Sequence, residues 1–398
     1  MRVHHLTESL SAKRRPIVGI DAANLRSGGG VTHLVELLSS ADVAVDCFDS
    51  VHVWTGSQTA NRLPRKDWLH VHDLPELNGN LLRRSLWQRY KLGDAAREAK
   101  CDCLFVPGGV FAGRFKPVVT MSQNLLPFEG RELFRFGLSA TTLRLLALRF
   151  LQSKSFRRSD GVIFLSDYAK SVVTSTTGRL RGEVQVINHG LSPRFLAAPR
   201  PQNAIEDYCG ERPFRILYVS IVNAYKHQWS VVEAVADLRK KGFPLRLDLV
   251  GPSEPRPLRR LLKVIKKVDP LGNWAKYAGP IPYTELHQYY KSADLGVFAS
   301  SCENLPITLL ENMASGLPIA CSNLGPMPEV LGKAGVYFDP ESSESIRDAI
   351  EQLVLSPRLR ADVAQLAFAR SQDFNWERCA KETFSFLERV SLGHRQPA

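Results

Sequence analysis

Ser300–Gly316 reads SSCENLPITLLENMASG; the run ADLGVFAS (Ala293–Ser300) leads into it and PIACSNLGPMPEV follows. The spacing predicts a buried strand, a loop, and a helix from about Pro306 to Ser315, with Pro at its start and Gly316 just past its end. Ile307, Leu310, Glu311 and Ala314 recur at i, i+3, i+4 and i+7, so one helix face is apolar apart from one carboxylate. A carboxylate there is costly unless something hydrogen-bonds it. Glu303 stands eight residues before Glu311, in the loop where the helix opens. At that point free backbone N–H groups and the helix dipole favour an anion such as phosphate. A carboxylate for hydroxyls beside an N-terminus for phosphate suits a sugar nucleotide. Either glutamate alone reads equally well as solvated or as a lysine's partner; the pair at this spacing argues for a site.

Composition frames that reading. A chain of 398 residues, 44% hydrophobic and 23% charged, is long enough for two globular domains. No apolar run approaches the ~20 residues of a membrane span. The opening MRVHHLTESLSAKRRP has no apolar core segment, so no secretory signal is expected. Seven scattered cysteines lack zinc-knuckle spacing and suggest reduced thiols in a cytoplasmic protein. The net charge of +12 is uneven: residues 1–200 carry 28 Lys/Arg against 17 Asp/Glu, and the rest 24 against 23. The first half is expected to face something acidic, such as anionic lipid or a phosphorylated acceptor. Nucleic-acid binding would rest on charge alone and is not expected.

Along the chain, residues 1–15 read as a lead-in, and PIVGIDAANL (Pro16–Leu25) as the first buried strand. Arg26–Gly30 (RSGGG) forms a glycine loop opening a helix, an arrangement that cradles phosphate or makes a plain turn. There is no GxGxxG, and no acidic residue closes a second strand as a nicotinamide site requires. Strands and helices then alternate through VHVWTG, WLHVHDL, a helix over about Leu81–Lys100, CDCLFVPGG and PVVTMS, the rhythm of a doubly wound parallel sheet. Gln123 and Asn124 follow a strand, at the edge where open α/β sheets gather ligands. The helical region Arg131–Arg158 holds seven Arg/Lys against Glu132 alone, with apolar residues at 143, 146, 147, 150 and 151. Such a helix rests on anionic lipid or packs in a core with its arginines reaching outward. Pro193–Pro213, with four prolines, reads as the linker to a second βα series that begins at RILYVS.

Glu303 and Glu311 with PIACSNLGPMPEV resemble the E-x7-E region of retaining GT-B glycosyltransferases of the family 4 type. NAYKHQ (Asn223–Gln228) resembles that family's phosphate-binding lysine segment. The resemblance implies two Rossmann-like domains facing across a cleft. Residues 1–200 would form the acceptor side and 201–371 the nucleotide-sugar side, with a C-terminal helix (about 372–392) packing back on the first. By the same resemblance Glu303 contacts the transferred sugar, and Lys226 carries the diphosphate charge. Asn304, Leu305, Pro306 and Ile307 present backbone to sugar and phosphate, with Asn223 and the Gly28–Gly29–Gly30 loop nearby, and Glu311 binds ribose hydroxyls. Gln123, Asn124 and His189 are the acceptor-side candidates. The chain departs from the pattern at Asn304 and Pro306, where glycines are common, and at Ile221, where an arginine is common.

The implied reaction moves a hexosyl unit from a nucleoside diphosphate sugar to a hydroxyl, with retention, needing neither metal nor other cofactor. The leaving phosphate takes the acceptor's proton, consistent with the lack of a good base at Gln123–Asn124. The expected acceptor is a lipid-linked or surface-polysaccharide glycan, with peripheral contact at the inner face of the cytoplasmic membrane. Two further readings stand beside it: a GT-B epimerase, with His189 as its ionisable candidate, and a non-catalytic nucleotide-sugar-binding assembly protein.

Overall fold

The computed structural model describes residues 14–26 and 28–395, so most of the lead-in and Ser27 of the glycine loop lie outside the described residues. The first sheet has seven strands: β1 (Ile17–Asp21), β2 (Ser50–Thr55), β3 (Leu69–Asp73), β4 (Cys103–Val106), β5 (Val118–Met121), β6 (Gly161–Phe164) and β7 (Glu183–Val186). They lie in the order β3-β2-β1-β4-β5-β6-β7, and every pair is parallel. The second sheet has β8 (Phe214–Val219), β9 (Leu245–Val250), β10 (Ala275–Gly279), β11 (Leu295–Phe298), β12 (Ile319–Ser322) and β13 (Val336–Phe338). Its order is β10-β9-β8-β11-β12-β13, again all parallel. Helices cover both faces of such sheets, which is why β4, β5, β6, β11 and β12 are buried at every residue.

In each sheet the order reverses beside the first strand, between β1 and β4 and between β8 and β11. A crevice opens at the carboxyl ends there, because the two connections leave toward opposite faces. The loops that empty into these crevices carry the glycines after β1, Lys226 after β8 and Glu303 after β11.

Two expected long helices are broken. The helix read over Leu81–Lys100 is two, Leu81–Tyr90 and Leu92–Glu98, hinged at Lys91. The region 131–158 splits into Gly130–Phe134 and Ala140–Arg158. The break falls at Gly137, whose φ of 60° suits glycine, and Ser139 restarts the chain by accepting the Thr142 N–H at 3.3 Å.

The linker is pinned to the second domain. Arg360, fully buried, donates to the carbonyls of Leu353, Val354 and Asn203 and to the Gln202 side chain. Ala197 N–H donates to Ala314 O at 2.9 Å, and a Cβ at Gly316 would meet Ala197 O at 2.6 Å. The final helix, Trp376–Arg395, lies on the first domain: Phe384 packs on Phe48 with ring centres 4.6 Å apart, and Arg389 donates to Glu183 and Gln185. This crossing clamps the two domains, so its core contact is expected to govern the stability of the first. Phe384→Ala should lower unfolding free energy in urea by about 3–5 kcal/mol; a loss under about 1 kcal/mol would mean the helix is loosely docked.

Candidate active site

Lys226 ends a short 3-10 turn (Ala224–Lys226) in the connection after β8, and its buried ammonium donates to the Glu303 carboxylate. The ammonium also sits 5.2 Å from the Tyr225 ring centre and 5.6 Å from that of Phe298. Several bonds cross-brace the two loops that carry the pair. Ser301 N–H donates to Tyr225 O at 2.9 Å, and the Tyr218 hydroxyl donates to Lys226 O at 2.7 Å. His227, held left-handed at φ 49°, places Nε2 2.9 Å from Ser301 Oγ. A backbone positioned this way leaves the ion pair little room to wander.

Immediately beyond Glu303, the helix Ile307–Ala314 begins with Pro306 as its N-cap, one position later than the sequence pattern suggests. Its first amides, at Ile307 and Thr308, have no acceptor within the helix, which begins in the loop that carries Glu303. Leu305 is buried beside them. Asn223 uses its side chain locally, accepting the Ala224 N–H at 2.6 Å.

Asn304 reaches across to the first domain. Its side-chain amide donates to Ser122 O at 2.8 Å, and its own carbonyl accepts from Ser166 Oγ at 2.8 Å. An asparagine where the family pattern has glycine therefore serves as a bridge. Four more contacts join the domains. Glu329 accepts the N–H groups of Asp167 and Tyr168 at the head of helix Asp167–Thr177, and Glu341 takes both Arg131 and Arg135.

Glu311 is enclosed. Its carboxylate accepts the Tyr290 hydroxyl at 3.0 Å and faces Tyr283, whose ring has the Arg194 guanidinium 5.2 Å from its centre. Burial pushes the Glu311 carboxyl from 4.5 up to about 8, against the pull of the two tyrosine hydroxyls and Arg194. The residue pattern did not point to Tyr283 and Tyr290 or place Arg194 at Glu311, because only the packing of three separate segments brings them together. The sequence offers Arg26 and Arg194 as replacements for the arginine missing at Ile221; Arg194 lies at the Glu311 end and Arg26 lies near Arg84.

On the opposite wall, a Cβ at Gly30 would come within 2.8 Å of Gln123 Oε1, so the glycine loop packs on the Gln123 edge. Gly28 (φ 72°) and Gly29 face open space. Asn124 caps its own turn, accepting Leu126 N–H at 3.2 Å. Asp21, passed over in the sequence, closes β1 by accepting the Ala23 N–H and a Gln88 amide bond, and burial pushes its carboxyl up to about 6. His189 departs from its expected place at the cleft. It is buried with Nδ1 2.8 Å from His33 Nδ1, under the Trp376 ring. Burial, then the His33 charge, pushes its imidazole well below the ordinary range, so it stays neutral and enclosed.

Among the described residues no group of three or more His, Cys, Asp or Glu is placed to hold a metal. A cavity of about 550 Å³ lies elsewhere, between Trp54, His72 and Trp87 on the flank of the first sheet.

Residues 208–370 match the family described as glycosyl transferases group 1. The second domain is a group 1 glycosyltransferase domain. It contains Lys226, Glu303 and Glu311, and thus one whole wall of the site. Over 112 residues the chain is 32% identical to O-antigen chain mannosyltransferase B of Escherichia coli, covering 28% of this chain and 29% of that protein. The chain spans half or less of the length of the first curated relatives it matches. Sucrose-phosphate synthase from Thermosynechococcus elongatus superposes with a TM-score of 0.77 at 17% identity, covering 95% of this chain and all of that one. The Anabaena protein HepE, solved with UDP-glucose, gives 0.68 at 18% identity over 96% and 100% of the two chains. The group 1 domain and its partner thus form a GT-B fold.

The buried carboxyl makes stability depend on pH. Glu311 keeps its proton in the folded chain to about pH 8, whereas an unfolded one loses it near 4.5. Its contribution is complete below pH 4.5 and declines as pH rises toward 8, by on the order of a few kcal/mol. Glu311→Gln keeps the tyrosine contacts without a charge to lose. It should melt with wild type at pH 4.5 and above it at pH 8; parallel melting profiles would mean the carboxyl is already ionised at neutral pH.

Proposed function

We propose that this protein is a retaining hexosyltransferase that moves a sugar from a nucleoside diphosphate sugar to a hydroxyl acceptor. The observation that carries the reading is the Lys226–Glu303 ion pair, fixed at the switch point of the group 1 domain beside a helix N-terminus. Cleaving a glycosyl phosphate bond builds negative charge on the leaving diphosphate and positive character on the sugar ring. Lys226 and the amides at Ile307 and Thr308 suit the first charge. Binding of the diphosphate draws Lys226 from Glu303, and the freed carboxylate then holds sugar hydroxyls. Glu311 suits a ribose diol that takes the place of the Tyr283 hydroxyl. The glycine loop approaches the diphosphate from the opposite wall, with Gln123 and Asn124 on the acceptor side.

Neither Gln123 nor Asn124 can take a proton at neutral pH, and His189 is enclosed. That supports transfer in which the leaving phosphate accepts the acceptor's proton on the same face, the route that retains configuration. It also weakens an epimerase, which needs ionisable groups in the cleft. The acceptor we favour is a lipid-linked or surface-polysaccharide glycan, in keeping with the excess positive charge of the first domain and the O-antigen mannosyltransferase among the relatives. HepE was solved with UDP-glucose, which supports a nucleotide sugar as donor here.

Thermal shift with UDP, GDP, ADP and dTDP tests the donor site. One nucleotide at a hundredfold excess over its dissociation constant should add ~2.7 kcal/mol to wild type, and Lys226→Met should weaken it about tenfold to a hundredfold. Glu303→Gln should keep the bare nucleotide's shift but release no nucleoside diphosphate from a sugar nucleotide with acceptor. A Lys226→Met variant shifted like wild type would overturn the assignment, and full activity in Glu303→Gln would do the same. The cations of the proposed site are side chains, so activity is expected to survive EDTA; its loss with EDTA and recovery with Mn²⁺ would refute metal independence.

A further inference from the structure

An amphipathic helix on a water-soluble domain turns its apolar stripe inward. The helix Ala140–Arg158 instead leaves four large apolar side chains outside and buries only two, Leu145 and Phe156. Its buried positions are Thr142, Leu145, Gln152, Ser153, Ser155 and Phe156, four of them polar, while Leu143, Leu146, Phe150 and Leu151 are exposed, Leu143 to 71% and Phe150 to 68%. These residues fall at the i, i+3, i+7 and i+8 positions of one stripe, and Phe134 and the fully exposed Leu138 in the turn before the helix extend the patch. Contiguous apolar surface of this kind marks a contact site. The charge on the helix and the turn before it has one sign: no Asp or Glu stands between Glu132 and Asp160. Lys154 and Arg158 continue the stripe toward the helix C-terminus and Arg144 flanks it, and none of the three pairs with a carboxylate among the described residues.

A second helix on the same flank repeats the pattern. Leu82, Leu86 and Tyr90, at i, i+4 and i+8 of Leu81–Tyr90, are exposed, and Arg89 lies against the Tyr90 ring. Residues 110–111 tie the two helices together: Gln88 donates to Val110 O at 2.9 Å and Phe111 N–H donates to Ser155 Oγ at 3.0 Å. Among the described residues no helix is long and apolar enough to cross a membrane. Apolar side chains ringed by unpaired cations on a helix too polar to insert match the boundary between the acyl chains and the headgroups of an anionic bilayer.

We propose that Ala140–Arg158 and the turn before it form the docking face of this protein on anionic lipid. This deepens the reading above, because it sets the acceptor-side domain at a lipid surface, yet it is tested without turnover. The probes are sedimenting vesicles of phosphatidylcholine alone or mixed equally with phosphatidylglycerol. Wild type should bind the mixed vesicles about tenfold more strongly than the neutral ones, and less strongly as salt rises. The double substitution Leu143→Ser, Phe150→Ser should lower binding to the mixed vesicles at least about tenfold. The triple substitution Arg144→Gln, Lys154→Gln, Arg158→Gln should abolish the preference for anionic lipid. Leu271→Ser, at a site 82% exposed on the other domain, should change nothing.

All the altered side chains are surface ones, so unchanged melting and an unchanged nucleotide shift certify the fold. The nucleotide shift also separates failure of this proposal from failure of the donor site. Wild type that ignores mixed vesicles, or apolar variants that bind as it does, would overturn the proposal. So would a dimer in light scattering that Phe150→Ser turns to monomer without altering vesicle binding, since the face would then belong to a second copy.

Discussion

Everything at the crevice depends on one buried ion pair between loops from two different strands. A lysine ammonium that far from water is tolerable only with a partner, and Glu303 is that partner. Removing either leaves an uncompensated charge, so the two loops hold their positions together. The left-handed turn at His227 and its contact with Ser301 fix the lysine's backbone before the side chain reaches out. An ionic contact of this kind is stable alone and exchangeable for another anion. A diphosphate offers Lys226 the same charge that Glu303 does, with more oxygens to share.

The bridge made by Asn304 extends that constraint across the domains. Glycine in the same place gives a loop free to move with the second domain alone. Asparagine ties the loop to Ser122, one residue from the Gln123 edge on which the glycine loop packs. The ion pairs of Glu341 and the capping contacts of Glu329 also run from one domain to the other. Opening the two domains therefore breaks charge-assisted bonds and disturbs the Glu303 loop together. In this chain, domain closure and the geometry of the carboxylate loop are one variable.

Much of this was legible in the residues, and the reasons differ from part to part. Alternating apolar runs and glycine stops announced two parallel sheets, because strands buried on both faces leave little choice of residue. The breaks at Lys91 and Gly137 escaped the periodicity, since a helix that stops for one residue keeps nearly the same pattern on both sides. The eight-residue spacing from Glu303 to Glu311 pointed to a site. It could not say that the first carboxylate would meet Lys226 and the second be closed under Tyr283 and Tyr290. Those partners come from the connections after β8 and β10 and from the helix Leu286–Ser292, and only the strand order sets them side by side. His189 misled for a related reason. A histidine in a connecting loop looks available until the last helix lays Trp376 over it.

The helix Ala140–Arg158 shows where pattern alone is undecidable. An apolar stripe at 143, 146, 147, 150 and 151 flanked by arginines has two solutions, the stripe inward with snorkelling cations or the stripe outward against lipid, and both satisfy the same spacing. What decides between them is the chemistry of the opposite face. Ser155 is a short polar group with a loop to bond, and its Oγ accepts the Phe111 N–H. That loop leaves β4 with backbone groups in need of partners, and leucines there would have left them unsatisfied. The helix therefore turns Ser155 inward to close the sheet's connection, with Leu145 and Phe156 as its core anchors, and its other apolar stripe is left for something other than water.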